Sequence, residues 1–206
     1  MLQNLAVYPT ARDVFYSEHS DRCYNSATFL LSYSLLELPF TALSSLVCAA
    51  LAAVSTGLIR SVPGFLATAL DVFCIVTCGE SIGIIFNTLF HAQDVFAVNV
   101  MSTCISFASS MAGVMSLRLP AFLAAMNTLS PSKYAVRNLA PLAMRGMLFT
   151  CSSGQLINGK CPISTGEEVL QLYHLEGSVR LNIVAIIVCA VAYRAVAFVV
   201  LYIAKR

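Results

Sequence analysis

The stretch PGFLATALDVFCIVTCGESIGIIFNTLF, residues 63–90, holds two acidic side chains, Asp71 and Glu80, and no basic one in a run otherwise suited to hydrocarbon. A bilayer core about 30 Å thick is crossed by about 20 helical residues, because each adds about 1.5 Å and a helix satisfies its own N–H and C=O groups. The stretch therefore predicts a membrane-spanning helix. Three more runs of the same kind surround it, at residues 27–58 on one side and 95–117 and 181–204 on the other. Little chain is left for a soluble body. The hydrophobic fraction of 58%, the mean hydropathy of +0.80 and the charged fraction of 11% agree, since a soluble domain carries about 25% charged residues. The net charge of +2 comes without a long basic or acidic block, so nothing points to nucleic acid or to an acidic partner.

The connections set an expected topology. Arg60-Ser61-Val62-Pro63-Gly64 joins a charge to a Pro-Gly pair, which does not continue a buried helix, so the first two runs form a tight hairpin. His91-Ala92-Gln93-Asp94 separates the second and third runs just as briefly. The long segment 118–180 contains two moderately apolar pieces, 121–126 and 134–149, broken at Pro120, Pro131 and Pro141; they are too short to span and read as dipping or interfacial helices. Cys48, Cys74, Cys78, Cys104 and Cys189 lie in apolar runs and behave as small hydrophobes, Cys23 is unassigned, and Cys151 with Cys161 in the polar segment reads as a disulfide. Such a bridge contributes about 3 kcal/mol by the chain-entropy model and needs an oxidising compartment. Segment 118–180 is then outside, and with an even number of spans both chain ends are cytosolic. The positive-inside count adds little, because Arg118, Lys133, Arg137, Arg145, Lys160 and Arg180 crowd one loop of about 60 residues, the upper limit for that rule. Residues 4–25 are polar and lack the basic and apolar regions of a signal peptide, so insertion is expected to rely on the first span.

The expected fold is an all-α membrane protein with about four transmembrane helices: a cytosolic segment 1–25, three spans within 26–117, an outer loop 118–180, and a last span with its tail at 181–206. Within it, Glu37, Asp71, Glu80 and Arg194 stand out, because an ionisable group at mid-membrane costs about 2.5 to 3.5 kcal/mol on insertion scales and so faces the bundle interior or a wet cavity. Each could equally be a snorkelling end residue or a structural hydrogen-bond partner. Gly79 and Gly83 form a small-xxx-small pair for close helix approach, and Ser106, Ser109, Ser110 and Gly113 place a small polar stripe on the third run that can pack or line a passage. Residues 154–160 imitate a phosphate-binding loop, but Cys161 stands where Ser or Thr would hold magnesium and no strand precedes, so the match is coincidental. His19, His91 and His174 are scattered and no metal or nucleophile motif is present. The N-terminal Arg12-Asp13-Val14-Phe15-Tyr16-Ser17-Glu18-His19 reads as a short amphipathic helix, with Val14 and Phe15 on the membrane-side helices and Arg12, Asp13, Glu18 and His19 in solvent.

Taken in order, that helix, Tyr24, Leu36-Glu37-Leu38-Pro39-Phe40, Gly79-Glu80-Ser81-Ile82-Gly83, Phe86-Asn87-Thr88, Leu129-Ser130-Pro131-Ser132-Lys133-Tyr134-Ala135 and Cys161-Pro162-Ile163-Ser164-Thr165-Gly166-Glu167-Glu168-Val169-Leu170 resemble the white/breast-cancer-resistance type of ABC transporters, the G subfamily, and most of all its fungal members. The resemblance covers the last four of six spans in an ABC-2 type membrane domain and implies a fragment or degenerate copy without the first two spans and the nucleotide-binding domain. It implies that Arg12, Phe15 and Glu18 couple to an ATPase domain, that Ser106 and Ser109 face a substrate cavity on a two-fold axis, that Val114 and Met115 form a hydrophobic plug above it, and that Glu37 and Glu80 are its intramembrane polar groups. ATP and magnesium would bind the nucleotide-binding domain and no cofactor would bind this chain; the expected partners are membrane lipid, that domain, and a second transporter half as homo- or heterodimer, in the plasma membrane or an endomembrane. The function implied is ATP-driven export of lipid-like or amphipathic compounds, with no hydrolysis by this chain. A non-transporting adaptor that dimerises with full-length relatives, and an ion-coupled carrier using Glu80 and Asp71, are the alternatives.

Overall fold

The computed structural model describes residues 2–20, 25–57, 61–90, 94–112, 120–151, 161, 163–175 and 177–204. Eight helices account for most of them: α1 Leu2–Ser20, α2 Ser26–Thr56, α3 Val62–Leu89, α4 Asp94–Ser110, α5 Ala121–Asn127, α6 Pro131–Met144, α7 Gly166–Leu172 and α8 Val179–Ala204. Among the described residues, α2, α3 and α8 are long and apolar enough to cross a membrane. At about 1.5 Å per residue their lengths of 31, 28 and 26 residues reach about 46, 42 and 39 Å, beyond the hydrocarbon thickness.

The chain marks their ends chemically. Asn25 caps α2, its side-chain oxygen accepting from the Ser26 N–H at 2.7 Å, and Gly57 ends the helix in the left-handed region at φ 61°, its N–H donating to the Ala53 carbonyl. Ser61 opens α3 by accepting from Gly64 N–H at 3.3 Å, with Pro63 in the first turn, where a missing N–H costs nothing. Helix α4 covers 17 residues, about 25 Å, of the run expected over 95–117, whose residues 113–119 lie outside the described ones; just past Ser110 the Asn127 amide at the end of α5 donates to the Met111 carbonyl at 2.7 Å.

Helix α3 is the hub. It touches α1, α2, α4, α6 and α8, and half of its apolar window is buried, against 17% for α2 and α8. The outward faces of those two helices carry Leu31, Leu35, Leu43, Val54, Leu181, Val188 and Ile203, all exposed, as lipid-facing helices should. Two cores result. Tyr8, Phe15, Phe29, Leu30, Ile84, Ala197 and Leu201 join α1 to the start of α2 and the ends of α3 and α8, while Cys74, Cys78, Ala135, Ile186 and Ala190 join α3, α6 and α8. Helix α6 thus packs within the bundle. The Tyr193 hydroxyl donates to the Leu129 carbonyl at 3.0 Å, which holds the α5–α6 turn beside the middle of α8. The dipping helices expected between the third and fourth runs are α5 and α6.

Candidate functional site

Helix α1 lies across one end of the bundle and begins at Leu2, well before the Arg12–His19 segment singled out from the sequence. Tyr8, Arg12 and Phe15 share one face, and all three are buried, at 1%, 2% and 0% exposure. Phe15 stacks on Phe29 of α2 with ring centroids 4.4 Å apart. Arg12 was expected in solvent and is not: Nη1 donates to the Asn87 carbonyl at 2.7 Å, in the last turn of α3, while Nε and Nη2 reach Asp13 at 3.0 and 2.9 Å. The physical reason is the helix terminus, whose unpaired carbonyls and negative dipole end favour a guanidinium. Val14, expected against the membrane helices, is 52% exposed, and the outward face of α1 is Asp13, Val14, Ser17 and Glu18. Burial pushes the Tyr8 phenol up to about 12. Arg12 and Phe15 therefore grip the membrane helices, and Glu18 is on the side open to a partner.

A polar cluster sits between α2, α3 and α8. Arg194 Nη2 pairs with Glu80 Oε2 at 3.2 Å, and the Thr41 hydroxyl donates to Glu80 Oε1 at 3.0 Å. The Glu80 side chain is 3% exposed and that of Arg194 22%. Glu37 stands beside them, near Tyr33 and Glu80. Thr41, Glu80 and Arg194 line a cavity of about 400 Å³ whose other walls include Leu38, Leu70, Phe73 and Val191. Higher on α3, Asp71 Oδ1 accepts from Asn138 Nδ2 at 2.8 Å, and both residues are fully buried. That bond ties α6 to the hub. The four ionisable residues expected in the membrane thus divide into two sites, one joining α2, α3 and α8 and the other joining α3 to α6.

Ser106 and Ser109, three residues apart, are neighbours on α4 and both are exposed. Asn99, Ser102, Thr103, Ser106 and Ser110 recur at helical spacing and are all exposed, with Ser106 and Ser110 donating to the carbonyls of Ser102 and Ser106 at 2.9 Å. Ser109, at the edge of that stripe, lines a second cavity of about 300 Å³ with Cys104, Ile105 and Ala108. Val114 and Met115, the expected plug, lie outside the described residues, as do Gly113, Tyr24, His91 and the loop-like 154–160.

At the far end of the bundle from α1, a disulfide joins Cys151 to Cys161. The strands it closes meet in an antiparallel bridge between Leu148 and Thr165, with Phe149 N–H donating to Ser164 and Gly166 N–H to Met147, each at 2.9 Å. Thr165 and Glu168 then form a capping box that starts α7. The Glu168 carboxylate accepts from the Ser164 N–H at 2.6 Å and from its hydroxyl at 3.1 Å, and these bonds hold its pKa below the usual carboxylate range. Gly166 has a local reason: a Cβ there would overlap the Met144 carbonyl.

Thr41 and Asn138 escaped the sequence reading, and Asn87 and Ser130 entered it only as parts of motifs. Thr41, Asn87 and Asn138 act through neighbours distant in the chain, while the Ser-Pro pair at 130–131 carries a local signal, that of a helix start. Comparison with known proteins adds a family. Residues 1–142 match the family model described as ABC-2 type transporter. Over 203 residues, 98% of this chain, the sequence is 38% identical to an uncharacterized ABC transporter ATP-binding protein/permease of Saccharomyces cerevisiae, and it spans 16% of that relative's length.

Proposed function

Because this chain belongs to the ABC-2 type transporter family, the permease part of ABC transporters, we propose that it forms one portion of the pathway by which an ATP-driven exporter moves lipid-like or amphipathic compounds. The observation that carries the reading is the exposed hydroxyl and amide stripe Asn99, Ser102, Thr103, Ser106 and Ser110 on a helix packed among membrane spans. Hydrocarbon is a poor neighbour for such a face, whereas a wet passage or the facing helix of a second half, in a homo- or heterodimer, suits it. ATP and magnesium belong to a nucleotide-binding domain, in the same polypeptide or a partner. This chain's residues receive its motion. A push on Asp13, Ser17 and Glu18 would travel through Phe15 to α2 and through Arg12 to the end of α3, and α3 touches α4 directly. Two arrangements of the bundle with different affinity for the transported compound are then sufficient for export. The α1 end is cytosolic in this scheme and the disulfide end is outside.

The test is thiol accessibility in sealed vesicles containing the full transporter. Ser106→Cys reacts with a membrane-impermeant maleimide at a rate that changes several-fold between nucleotide-free and ATP-bound states. A rate that stays at the level of a lipid-facing cysteine such as Cys48, with and without ATP, contradicts the passage.

A further inference from the structure

The second cavity has an apolar body and one polar pole. Ile75, Ile82 and Phe86 of α3 and Ile105 of α4 form the body, and Ser130 closes one end at the start of α6. Ser130 is 7% exposed, yet its hydroxyl has no partner among the described residues. A serine at this position ordinarily accepts from the N–H of the second or third helical residue, but Ser130 makes no such bond. Its O–H is consequently an unspent donor. Behind it stands the first turn of a 14-residue helix, which begins with Pro131 and carries the positive end of the helix dipole. The Tyr193–Leu129 bond fixes this pole beside the middle of α8. An unpaired buried hydroxyl costs about 1 to 3 kcal/mol, so the geometry asks for an acceptor brought from outside the chain.

We propose that this cavity binds an acyl amphiphile, its carbonyl oxygen accepting from the Ser130 hydroxyl at the α6 N-terminus and its hydrocarbon lying between Ile75, Ile82, Phe86 and Ile105. A carboxylate and an ester share that oxygen, and both suit donors aimed from a helix N-terminus. A cationic head does not, because it brings donors and positive charge to a pole that already has both. The volume of about 300 Å³ is at the lower end for a ligand pocket, which fits one chain rather than a whole bilayer lipid. The inference gives head-group chemistry to the amphipathic compound proposed above, and binding is required whether or not the chain takes part in transport.

The experiment uses the full transporter in nanodiscs and three photoreactive probes with the same diazirine-bearing chain: a fatty acid, its methyl ester and a trimethylammonium analogue. Without nucleotide, the acid, the ester or both label peptides containing residues 75–86 and 104–109, at least tenfold more than the ammonium probe. Ser130→Ala lowers that labelling by about 2- to 10-fold, the value of one neutral hydrogen bond, while Ser130→Thr, which keeps the hydroxyl, preserves it. Ile82→Trp, which fills the body without touching the pole, abolishes it. Acid-selective labelling identifies a free carboxylate and equal labelling of acid and ester identifies the carbonyl alone. Equal labelling by all three heads, or full labelling of a Ser130→Ala protein whose melting temperature is unchanged, overturns the proposal. Loss of transport with labelling intact would instead tell against the pathway reading alone.

Discussion

Replacing Glu80 or Arg194 separately should destabilise the bundle far more than replacing both. The carboxylate is nearly inaccessible, holds the guanidinium at 3.2 Å and accepts from Thr41 at 3.0 Å. Removing either partner leaves the other charge buried and uncompensated, at about 3 to 5 kcal/mol, whereas replacing a buried pair by apolar groups of similar size is often close to neutral. Glu80→Gln retains an acceptor for Thr41 but strands Arg194; Arg194→Met strands Glu80. The double variant removes both charges of the pair and keeps the Thr41 bond. A cost of about 3 kcal/mol corresponds to a fall of roughly 6 to 12 °C in melting temperature at the 2 to 4 °C per kcal/mol typical of chains this size. Each single variant should melt that much lower in detergent, and the double variant should recover more than half of the loss. The interaction term is then at least about 3 kcal/mol, well above the few tenths expected of independent sites. A double variant as unstable as the two singles summed would refute the pairing.

Three further outcomes follow from the same contacts. Asp71→Asn should leave the melting temperature unchanged or raise it, because an amide at 71 can donate to Asn138 Oδ1, which has no partner among the described residues; Asp71→Ala should lower stability by about 1 to 3 kcal/mol by leaving Asn138 unpaired. Glu168 should make the start of α7 sensitive to acid. Its folded pKa is held below the ordinary carboxylate value of about 4.3, so its contribution is complete above that pH and is lost as pH falls through the folded value; amide hydrogen exchange at 165–168 should be flat from pH 7 to about 5, once corrected for intrinsic rates, and accelerate below, with no such step in Glu168→Gln. Gly166→Ala should displace the Met144 backbone and loosen the outer hairpin, read as faster proteolysis between α6 and α7, while the α2–α3–α8 core melts as before.

The spans could be read from the chain within a residue or two at most ends, because lipid demands unbroken apolar helix and leaves its signature in composition alone. The ends of α2 and α3 add local chemistry: Asn25, Gly57 and Ser61 are recognisable caps. For the third run the start of α4 was legible, but the bond from the Asn127 amide to the Met111 carbonyl, 16 positions away, was not. Arg12 shows a similar limit. Amphipathic patterning assigns a charge to solvent, and nothing near residue 12 reveals that the open carbonyls of α3 lie within its reach, 75 residues on. For Glu80 and Arg194 depth in the membrane was legible, and the pairing was not. Ser130 looks in sequence like an ordinary helix start; that its hydroxyl makes no cap bond is visible only in the structure.

The central claim is that α1 carries the motion of an ATP-hydrolysing domain into the membrane bundle through Phe15 and Arg12. It is tested most directly by measuring ATP hydrolysis and transport of a fluorescent lipid analogue together, in proteoliposomes containing the full transporter with Phe15→Ala or Arg12→Ala. The account predicts that hydrolysis continues while transport per ATP falls at least tenfold in either variant. Transport per ATP equal to that of the parent, in variants that remain folded, would contradict it.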